Sequence, residues 1–351
     1  MELYSNELYM EDVHSVASLS LPWEKLNGKS IMISGASGMI GSFLIDVLLE
    51  KSIRENFCCN VYALGRDINK TNKRFIKYLD NQRFTVLQYD ANSPLVYGSI
   101  ENVDYILHLA SNTHPVQYST DPIGTITTNV YGLKNLLDFA LTHKTKRFVF
   151  ASSNEIYGEN RGDVEFFDEE YCGYINSNTM RACYPESKRC GEALCQAYIA
   201  QKGISIVIPR FTRTYGPTML MTDTKAISQF VKNGTAGKDI VLKSAGNQLY
   251  SYQYVADSVS GLLTVLLCGE DGEAYNIADE HSDIRLKDLA WIIAKEVGKK
   301  VVFELPDNVE SAGYSTATKA RLEGSKLKKL GWEPRYDIKT GLQRTIKILM
   351  S

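Results

Sequence analysis

Short apolar runs alternate with longer segments of helical periodicity from Ile31 to Phe211. The runs of strand length are "SIMISG", "CNVYALG", "FTVLQYD", "VDYILHLAS", "RFVFASS" and "ISIVIPRF". The segments "MIGSFLIDVLLEKS", "TNKRFIKYL" and "TTNVYGLKNLLDFALTHK" have the spacing of helices instead. Strands that alternate with helices of this length are typical of βαβ units. The pattern predicts an α/β fold with a doubly wound parallel sheet of the Rossmann type.

The alternation becomes irregular from about residue 206, which predicts a second, smaller unit. The segment "TYGPTMLMTDTKAISQFV" and the chain beyond residue 270 break the repeating pattern. We therefore divide the chain into an N-terminal extension (1–29), a dinucleotide-binding domain (30–205) and a smaller C-terminal α/β domain (206–351). The C-terminal domain is expected to be mainly substrate-binding, and its segments interleave with the dinucleotide-binding domain. It is expected over the carboxyl edge of the sheet, where such folds bind ligands.

Composition narrows the range of partners. The 351 residues include 39 Lys and Arg against 41 Asp and Glu, so no strongly basic surface is predicted to bind nucleic acid. The start, "MELYSNELYMEDV", is acidic, and no apolar segment reaches the length of a membrane span. We expect a cytoplasmic protein without a membrane partner.

Cysteine and histidine spacing gives no sign of a metal centre. The seven cysteines include the adjacent Cys58 and Cys59 but form no C-x-x-C, and the five histidines are scattered. Neither a disulfide framework nor a metal site is therefore predicted.

The first chemical motif is "SGASGMIGS", which follows the first strand and opens the first helix. Glycine permits the tight turn and lets the backbone approach a pyrophosphate, and the free N–H groups at the helix start attract its charge. The context is the one that a dinucleotide-binding loop requires. The residues predicted to bind the cofactor here are Gly35, Ser37, Gly38, Met39, Ile40 and Gly41.

Further cofactor contacts are predicted at the ends of the next strands. The second strand ends "VYALGRD", with Arg66 before the acidic Asp67, so the choice between NAD and NADP stays open. Asp90 and Ala91 follow the third strand and are candidates to reach the adenine side. The fourth strand ends in "HLAS", which contributes Leu109, Ala110 and Ser111.

The second chemical motif is "RACYPESKRCGEAL", in which Tyr184 and Lys188 stand four residues apart at the start of a helical pattern. This spacing puts both on one face of a helix. An ammonium beside a phenol lowers the phenol pKa from about 10 toward working pH. The pair therefore predicts a tyrosine that acts as a general base at a hydroxyl group.

Together these motifs resemble the extended short-chain dehydrogenase/reductase family, in particular its nucleotide-sugar epimerases, dehydratases and decarboxylases. The resemblance covers about residues 30 to 345 and includes "GASGMIG", "HLAS", "SSNEIYG", "YPESK", "RFTRTYGP", "YQYVAD" and "KLKKLGWEP". "RACYPESKR", "PVQYSTDP" and "GPTMLMTD" look most like the UDP-glucuronate decarboxylases. The resemblance implies a tightly held NAD, a nucleoside-diphosphate sugar oxidised to a transient ketone, usually at C4, and a homodimer.

The resemblance also implies roles for individual residues. Tyr184 matches the base at the sugar hydroxyl, and Lys188 matches the lysine that tunes it and holds the nicotinamide ribose. Ser153 matches the residue that shares the hydroxyl proton, and Glu155 the glutamate that works near C5. Asn129, in the "TTNVYGLKNLL" helix, is placed with the cofactor contacts.

Four positions bear on the substrate. Asn154 stands where the 4,6-dehydratases have a proton-donating aspartate, so simple dehydration is disfavoured. Arg213 replaces an asparagine that usually contacts the substrate phosphates, and Tyr250 replaces an arginine of the decarboxylases. Arg181 is retained and is predicted to meet a carboxylate or a phosphate, or to be a solvated residue at a helix start.

The sequence therefore predicts a redox-neutral enzyme that modifies a nucleoside-diphosphate sugar through a 4-keto intermediate. Epimerisation is the first expected outcome. Decarboxylation of UDP-glucuronate, NADPH-dependent reduction of a keto-sugar, and a non-catalytic dinucleotide sensor remain alternatives. The sugar and the base of the nucleotide stay open.

Overall fold

The fold is described by a computed structural model that covers residues 3–97, 100–315 and 317–351. Its strands are β1 (Lys29–Ser34), β2 (Cys59–Gly65), β3 (Phe84–Gln88), β4 (Tyr105–His108), β5 (Arg147–Phe150), β6 (Ser152–Ser153), β7 (Ile206–Phe211), β8 (Arg213–Tyr215), β9 (Ile240–Leu242), β10 (Leu249–Tyr254), β11 (Ala274–Ile277), β12 (Asp283–Arg285), β13 (Val301–Phe303) and β14 (Lys319–Ala320).

Its α-helices are α1 (Glu7–Ala17), α2 (Met39–Arg54), α3 (Ile68–Arg74), α4 (Pro115–Thr120), α5 (Pro122–Thr142), α6 (Cys183–Lys202), α7 (Ala226–Thr235), α8 (Val255–Cys268), α9 (Leu286–Val297), α10 (Asn308–Ala312), α11 (Ser325–Lys328) and α12 (Ile338–Met350). Short 3₁₀ helices are Leu3–Ser5, Trp23–Lys25, Ile76–Tyr78, Asn154–Tyr157, Met180–Ala182 and Glu280–Ser282.

An eight-stranded parallel sheet forms the centre of the fold. Its order is β11-β7-β5-β4-β1-β2-β3, and β6 pairs with β7. Strand β1 therefore has β2 on one side and β4 on the other, so the strand order reverses at this point. Ligands of doubly wound folds bind at such a switch point, outside the carboxyl ends of the strands. The predicted fold class is confirmed.

Alternating side chains of the central strands enter two separate apolar layers. Ile31 and Ile33 pack with α2 and α8, whereas Met32 between them packs with α5. Val149 and Phe148 of β5 divide in the same way. Because successive side chains of a strand point to opposite faces, a strand covered on both faces is apolar throughout. This explains why the predicted strands read as continuous apolar runs.

The chain after residue 205 contributes to both parts of the fold. Strands β7 and β11 join the large sheet, while β8, β10, β12 and β14 form a smaller sheet and β9 pairs with β13. The pairing of β8 with β10 brings residues that follow β7 next to the smaller sheet. The domain boundaries at residues 29 and 205 stay a prediction.

The helix predicted at "TNKRFIKYL" begins and ends earlier than expected. The Asp67 side chain accepts a hydrogen bond from the Lys70 N–H, which caps α3 and starts it at Ile68. The chain leaves the α conformation at Phe75 and continues as the 3₁₀ helix Ile76–Tyr78.

Three features of the described residues bear on the expectations from composition. All seven cysteines lie in the described part of the chain and have free thiols. Within the same residues, no cluster of three or more His, Cys, Asp or Glu side chains is arranged to hold a metal ion. Across the described helices, none combines the length and apolarity needed to cross a membrane.

The N-terminal helix packs into the core through a buried polar cluster. Tyr9 of α1 is fully buried and donates a hydrogen bond to Asp46 of α2. Asp46 also accepts from Tyr4 and forms an ion pair with Arg74 at 2.5 Å. Burial raises the pKa of the Asp46 carboxyl, and Arg74 opposes that rise. Arg74 therefore stabilises the charged form of Asp46, whose side chain has no access to solvent.

Replacing Arg74 with Met should destabilise the protein by about 3 kcal/mol or more, because it leaves the Asp46 charge buried without its cation. The control is Lys134→Met, since Lys134 pairs with Asp138 on the surface, where the side chains are 55% and 48% exposed. That change should stay within about 0.5 kcal/mol. Urea unfolding measures both, and similar losses in the two variants would contradict the role given to Arg74.

Candidate functional site

The turn from β1 into α2 and the first turn of α2 each contain a glycine, Gly35 and Gly41, at which there is no space for a side chain. Gly35 has φ +71°, and a Cβ added there would lie 2.8 Å from the backbone of Leu109 and Ala110. A Cβ at Gly41 would lie 2.4 Å from the carbonyl oxygen of Gly35. The turn is closed by a hydrogen bond from the Gly38 N–H to the Gly35 carbonyl at 2.9 Å. The first N–H groups of α2 therefore face the edge of the sheet closely enough to meet a phosphate.

A cavity of about 400 Å³ opens next to this loop. It runs from the glycine loop past the ends of β4 and β6 to the start of α6 and the smaller sheet. The predicted site residues that line it are Gly35, Gly38, Met39, Ile40, Gly41, Leu109, Ala110, Ser111, Ser153, Asn154, Glu155, Arg181, Tyr184, Lys188, Arg213 and Tyr250.

Five predicted cofactor residues lie outside the lining of this cavity, namely Ser37, Arg66, Asp90, Ala91 and Asn129. Ser37 is half-buried within the glycine loop, and Arg66 is exposed after the end of β2. The exposed carboxylate of Asp90 accepts hydrogen bonds from the backbone and side chain of Asn92. Ala91 is buried against α5. Their assignment to the cofactor stays a prediction.

Asn129 is also absent from the cavity lining, because its side chain joins two elements of the site. Its Oδ1 accepts from Ser111 at 2.7 Å, and its Nδ2 donates to Ser187 of α6 at 2.8 Å. Ser187 in turn donates to the Tyr184 carbonyl at 2.9 Å. Asn129 therefore ties the end of β4 to the first turn of α6.

Tyr184 is buried in the first turn of α6 and stacks on Tyr118, with ring centroids 4.9 Å apart. Burial raises the pKa of its phenol well above the ordinary value, and the nearby Glu155 carboxylate raises it further. A hydrogen bond with the Ser153 side chain and the charge of Arg181 lower it. The rise in the Tyr184 pKa caused by desolvation is larger than the decrease caused by these two contacts.

Lys188 is not among the groups that shift the pKa of Tyr184 in this structure, and its role in lowering that pKa stays a prediction. The Lys188 ammonium lies 5.9 Å from the Tyr184 ring centroid and donates to the Ala151 carbonyl at 2.8 Å. Burial lowers the pKa of Lys188 itself to about 7, although the Glu192 carboxylate opposes the change. Ammonium and amine forms of Lys188 therefore coexist near neutral pH.

Glu155 and Arg181 form an ion pair at the cavity wall, with 2.7 Å between Oε2 and Nη2. Their side chains are 20% and 15% exposed. The Arg181 guanidinium also lies over the Tyr118 ring, 4.6 Å from its centroid. Tyr118 therefore contacts both the Arg181 guanidinium and the ring of Tyr184.

Arg213 and Tyr250, the two departures from the family pattern, contact each other directly. The guanidinium carbon of Arg213 lies 3.5 Å from the Tyr250 ring centroid. The Tyr250 hydroxyl donates to the Ala317 carbonyl at 2.6 Å. Tyr250, predicted to bind the substrate, therefore offers its ring as a support for Arg213 while its hydroxyl is engaged elsewhere.

Several cavity residues were not identified from the sequence. The lining also includes Thr224, Lys225, Lys243, Gln248 and Tyr252. The first two adjoin the "GPTMLMTD" motif, which could have indicated them. The others belong to or follow the short strands after residue 239, whose place beside the large sheet depends on tertiary contacts.

Comparison with known proteins agrees with this geometry. The model of the NAD dependent epimerase/dehydratase family matches residues 31–278. The chain is 32% identical over 313 residues to UDP-glucuronic acid decarboxylase 5 of Arabidopsis thaliana, covering 89% of this chain and 86% of the relative. It is 32% identical over 324 residues to UDP-glucuronic acid decarboxylase 1 of Xenopus tropicalis, covering 91% of this chain and 71% of the relative.

Solved structures share the fold. A UDP-glucuronic acid 4-epimerase from Bacillus cereus, in complex with UDP-glucuronic acid and NAD, has a TM-score of 0.78 at 22% identity, covering 91% of this chain and 98% of that one. A double mutant of a dTDP-glucose 4,6-dehydratase from Streptomyces venezuelae, with NAD bound, has a TM-score of 0.78 at 24% identity. The match covers 91% of this chain and 96% of that one. The resemblance found in the motifs is confirmed, and the chain is an enzyme of the NAD-dependent epimerase/dehydratase family.

Proposed function

We propose that the protein oxidises a nucleoside-diphosphate sugar at C4 with bound NAD and returns the hydride to the same sugar, with inversion at C4 as the net result. The observation that supports this most directly is the cluster of Tyr184, Ser153 and Lys188 in one cavity with the glycine loop. Ser153 and Tyr184 both line the cavity, and the Ser153 side chain lowers the pKa of the Tyr184 phenol, so the two hydroxyls can share a substrate proton.

The glycine loop fits the cofactor. The space that a Cβ at Gly35 or Gly41 would occupy is already filled by backbone, and the first N–H groups of α2 are left to meet a pyrophosphate. Leu109, Ala110 and Ser111 extend the same wall toward Tyr184. When bound there, NAD accepts and returns a hydride.

The phenol of Tyr184 is suited to both directions of proton transfer. Its raised pKa keeps the proton on the phenol in the free protein, which makes it a competent acid for the return step. To act as a base it requires the groups that lower its pKa, which are the Ser153 side chain and the charge of Arg181. Lys188, with a pKa near 7, is able to exchange its own proton at working pH.

Asn154 supports inversion over dehydration as the outcome. Its side chain is an amide, which cannot supply the proton that loss of a 6-hydroxyl requires. Inversion needs no such donor, because the 4-keto sugar only has to present its other face to the nicotinamide before the hydride returns.

Decarboxylation of UDP-glucuronate is the second candidate, and the curated relatives favour it. Those relatives are UDP-glucuronic acid decarboxylases, and the match to the one from Arabidopsis thaliana covers 89% of this chain. A ketone at C4 accepts the electron pair when the C5–carboxylate bond breaks, carbon dioxide leaves, and C5 takes up a proton. The Glu155–Arg181 pair lies in the cavity for such a step. Exposed Arg66, which suggested NADPH-dependent reduction, lies outside the cavity lining.

The outcome can be tested with the purified protein and no added cofactor. UDP-glucose, UDP-glucuronate and UDP-N-acetylglucosamine are supplied separately, and the products are followed by mass spectrometry and NMR. We expect unchanged mass and new couplings at H4. Loss of carbon dioxide would establish the second candidate instead. Turnover that requires added NADPH would contradict the redox-neutral proposal.

Substituting Tyr184 with Phe should reduce kcat by about a hundredfold or more, because the hydroxyl that exchanges the proton is lost. NAD binding should be unaffected. Tyr131→Phe is the matched control, since Tyr131 is 59% exposed on α5. Reduction of the bound nicotinamide, followed by its absorbance after sugar is added, reports the first half-reaction. If the Tyr184→Phe variant reduces the bound nicotinamide at an unchanged rate, Tyr184 is not the base.

Substituting Gly35 with Ala should weaken NAD binding by about tenfold or more, because the new Cβ would displace the loop or the end of β4. Gly203→Ala is the control: Gly203 has φ +68° with nothing within 4 Å of its Cβ position, so it carries the backbone strain without the clash. Calorimetric titration with NAD distinguishes them. Equal affinity in both variants would exclude the close approach at Gly35 as a requirement.

A further inference from the structure

Lys188 lines the cavity without a carboxylate partner, although a glutamate follows it one helical turn later. Lys188 and Glu192 are four residues apart on α6, so both project from the same face of the helix. Side chains of opposite charge at this spacing are close enough to form an ion pair. Among the described residues, however, the one hydrogen-bond acceptor of the Lys188 ammonium is the Ala151 carbonyl, at 2.8 Å.

The Glu192 carboxylate is instead bound by Arg210 of β7. Nε of Arg210 donates to Oε1 at 3.0 Å and Nη2 donates to Oε2 at 2.7 Å, so both carboxylate oxygens are held in a bidentate pair. The Ser152 hydroxyl also donates to Oε1. Ser152 and Arg210 are register partners on the parallel strands β6 and β7, so the carboxylate is held by two neighbouring strands at once.

The surrounding fold fixes the Arg210 guanidinium in turn. Its Nη1 donates to the Tyr157 hydroxyl at 3.0 Å and to the Glu169 carbonyl at 2.7 Å. The Tyr157 hydroxyl donates to Oδ1 of Asn276 in β11 at 2.6 Å. The Arg210 and Glu192 side chains are only 10% and 14% exposed, so the pair is largely shielded from water. A shielded pair with this many contacts resists rearrangement more than a surface pair does.

We propose that Arg210 is a positioning residue that binds the Glu192 carboxylate and so keeps it from pairing with Lys188. The ammonium then keeps two of its three N–H groups for a ligand of the cavity. This inference rests on the proposed function, which places Lys188 in the reacting cluster. Burial lowers the pKa of Lys188 to about 7, and the charge of Glu192 opposes that change even at its present distance.

The other titratable groups around Lys188 are neutral near pH 7. Burial lowers the pKa of the His108 imidazole in β4 to about 3, and the Lys188 charge lowers it further. Burial raises the pKa values of the Cys195 thiol and the Tyr184 phenol, both on α6. Among these neighbours, Glu192 therefore supplies the charge that acts on Lys188.

The test measures the pKa of Lys188 in the purified full chain, without sugar or added NAD. The protein is exposed briefly to acetic anhydride at a series of pH values, and acetylation of Lys188 is quantified by peptide mass spectrometry. Because the amine reacts and the ammonium does not, the midpoint of the profile reports the pKa. Lys134, whose side chain is 55% exposed, is the internal reference and should react alike in every variant.

Arg210→Met should raise the midpoint for Lys188 by about one pH unit, because the freed Glu192 carboxylate can turn to the ammonium. Acetylation then begins at higher pH. Glu192→Gln should lower the midpoint, because the negative charge is lost while the shape of the side chain is kept. In the double variant the upward shift should disappear. A general loosening of the fold would instead move both single variants in the same direction.

Arg321→Met is the matched control. Arg321 forms an ion pair with Asp283 of β12 at 2.7 Å, and these side chains are 17% and 4% exposed, so the pair is about as buried as that of Arg210. The substitution should destabilise the protein, as Arg210→Met does, and leave the midpoint for Lys188 unchanged. Urea unfolding of both variants checks that their losses of stability are comparable.

An unchanged midpoint in Arg210→Met would overturn the inference. An upward shift that persists in the double variant, or that Arg321→Met reproduces, would assign the effect to lost packing and overturn it as well. If Arg210→Met does not fold, Arg210→Lys replaces it: a lysine cannot hold both carboxylate oxygens, so a smaller upward shift is expected, and no shift contradicts the role of Arg210. The acetylation profile involves no sugar, so failure of the proposed function is recognised separately, by the absence of turnover.

Discussion

The backbone of Gly35 passes so close to the end of β4 that no side chain fits between them, and the site is arranged around this approach. It occurs where the strand order of the sheet reverses, so the chain leaves β1 and β4 in different directions and opens a cleft. The glycine loop borders the cleft on one side and the first turn of α6 on the other. The carboxyl ends of all the strands of a parallel sheet lie at the same edge, so residues distant in sequence line a single cavity.

Electrostatics inside the cavity is dominated by desolvation. Tyr184 and Lys188 lie in surroundings that oppose charge on each of them, so the pKa of the phenol rises and that of the amine falls. The pair is therefore held closer to its neutral forms than a tyrosine and a lysine in water would be. A positively charged partner in the cavity would shift the phenol toward the phenolate, and the oxidised nicotinamide ring carries such a charge. This links proton transfer at the hydroxyl to the oxidation state of the cofactor.

Local pattern was sufficient for the central fold and for the motifs at strand ends, because each of these depends on a short stretch of chain. The glycine loop, Ser153 and the Tyr184–Lys188 pair all line the cavity as their positions indicated. Properties that depend on distant contacts could not be obtained in this way. The direction of the Tyr184 pKa depends on burial by the assembled domain, and the lining by Lys243 and Gln248 depends on how the smaller sheets pack.

The stack of Arg213 on Tyr250 has a consequence for substitution at either position. β8 and β10 pair directly, so the two side chains come from neighbouring strands. An arginine in place of Tyr250 would bring two like charges into contact, and loss of the Tyr250 ring would leave the Arg213 guanidinium without its support. A substitution at either position therefore changes the environment of the other, and the two positions form one unit in any redesign of this cavity.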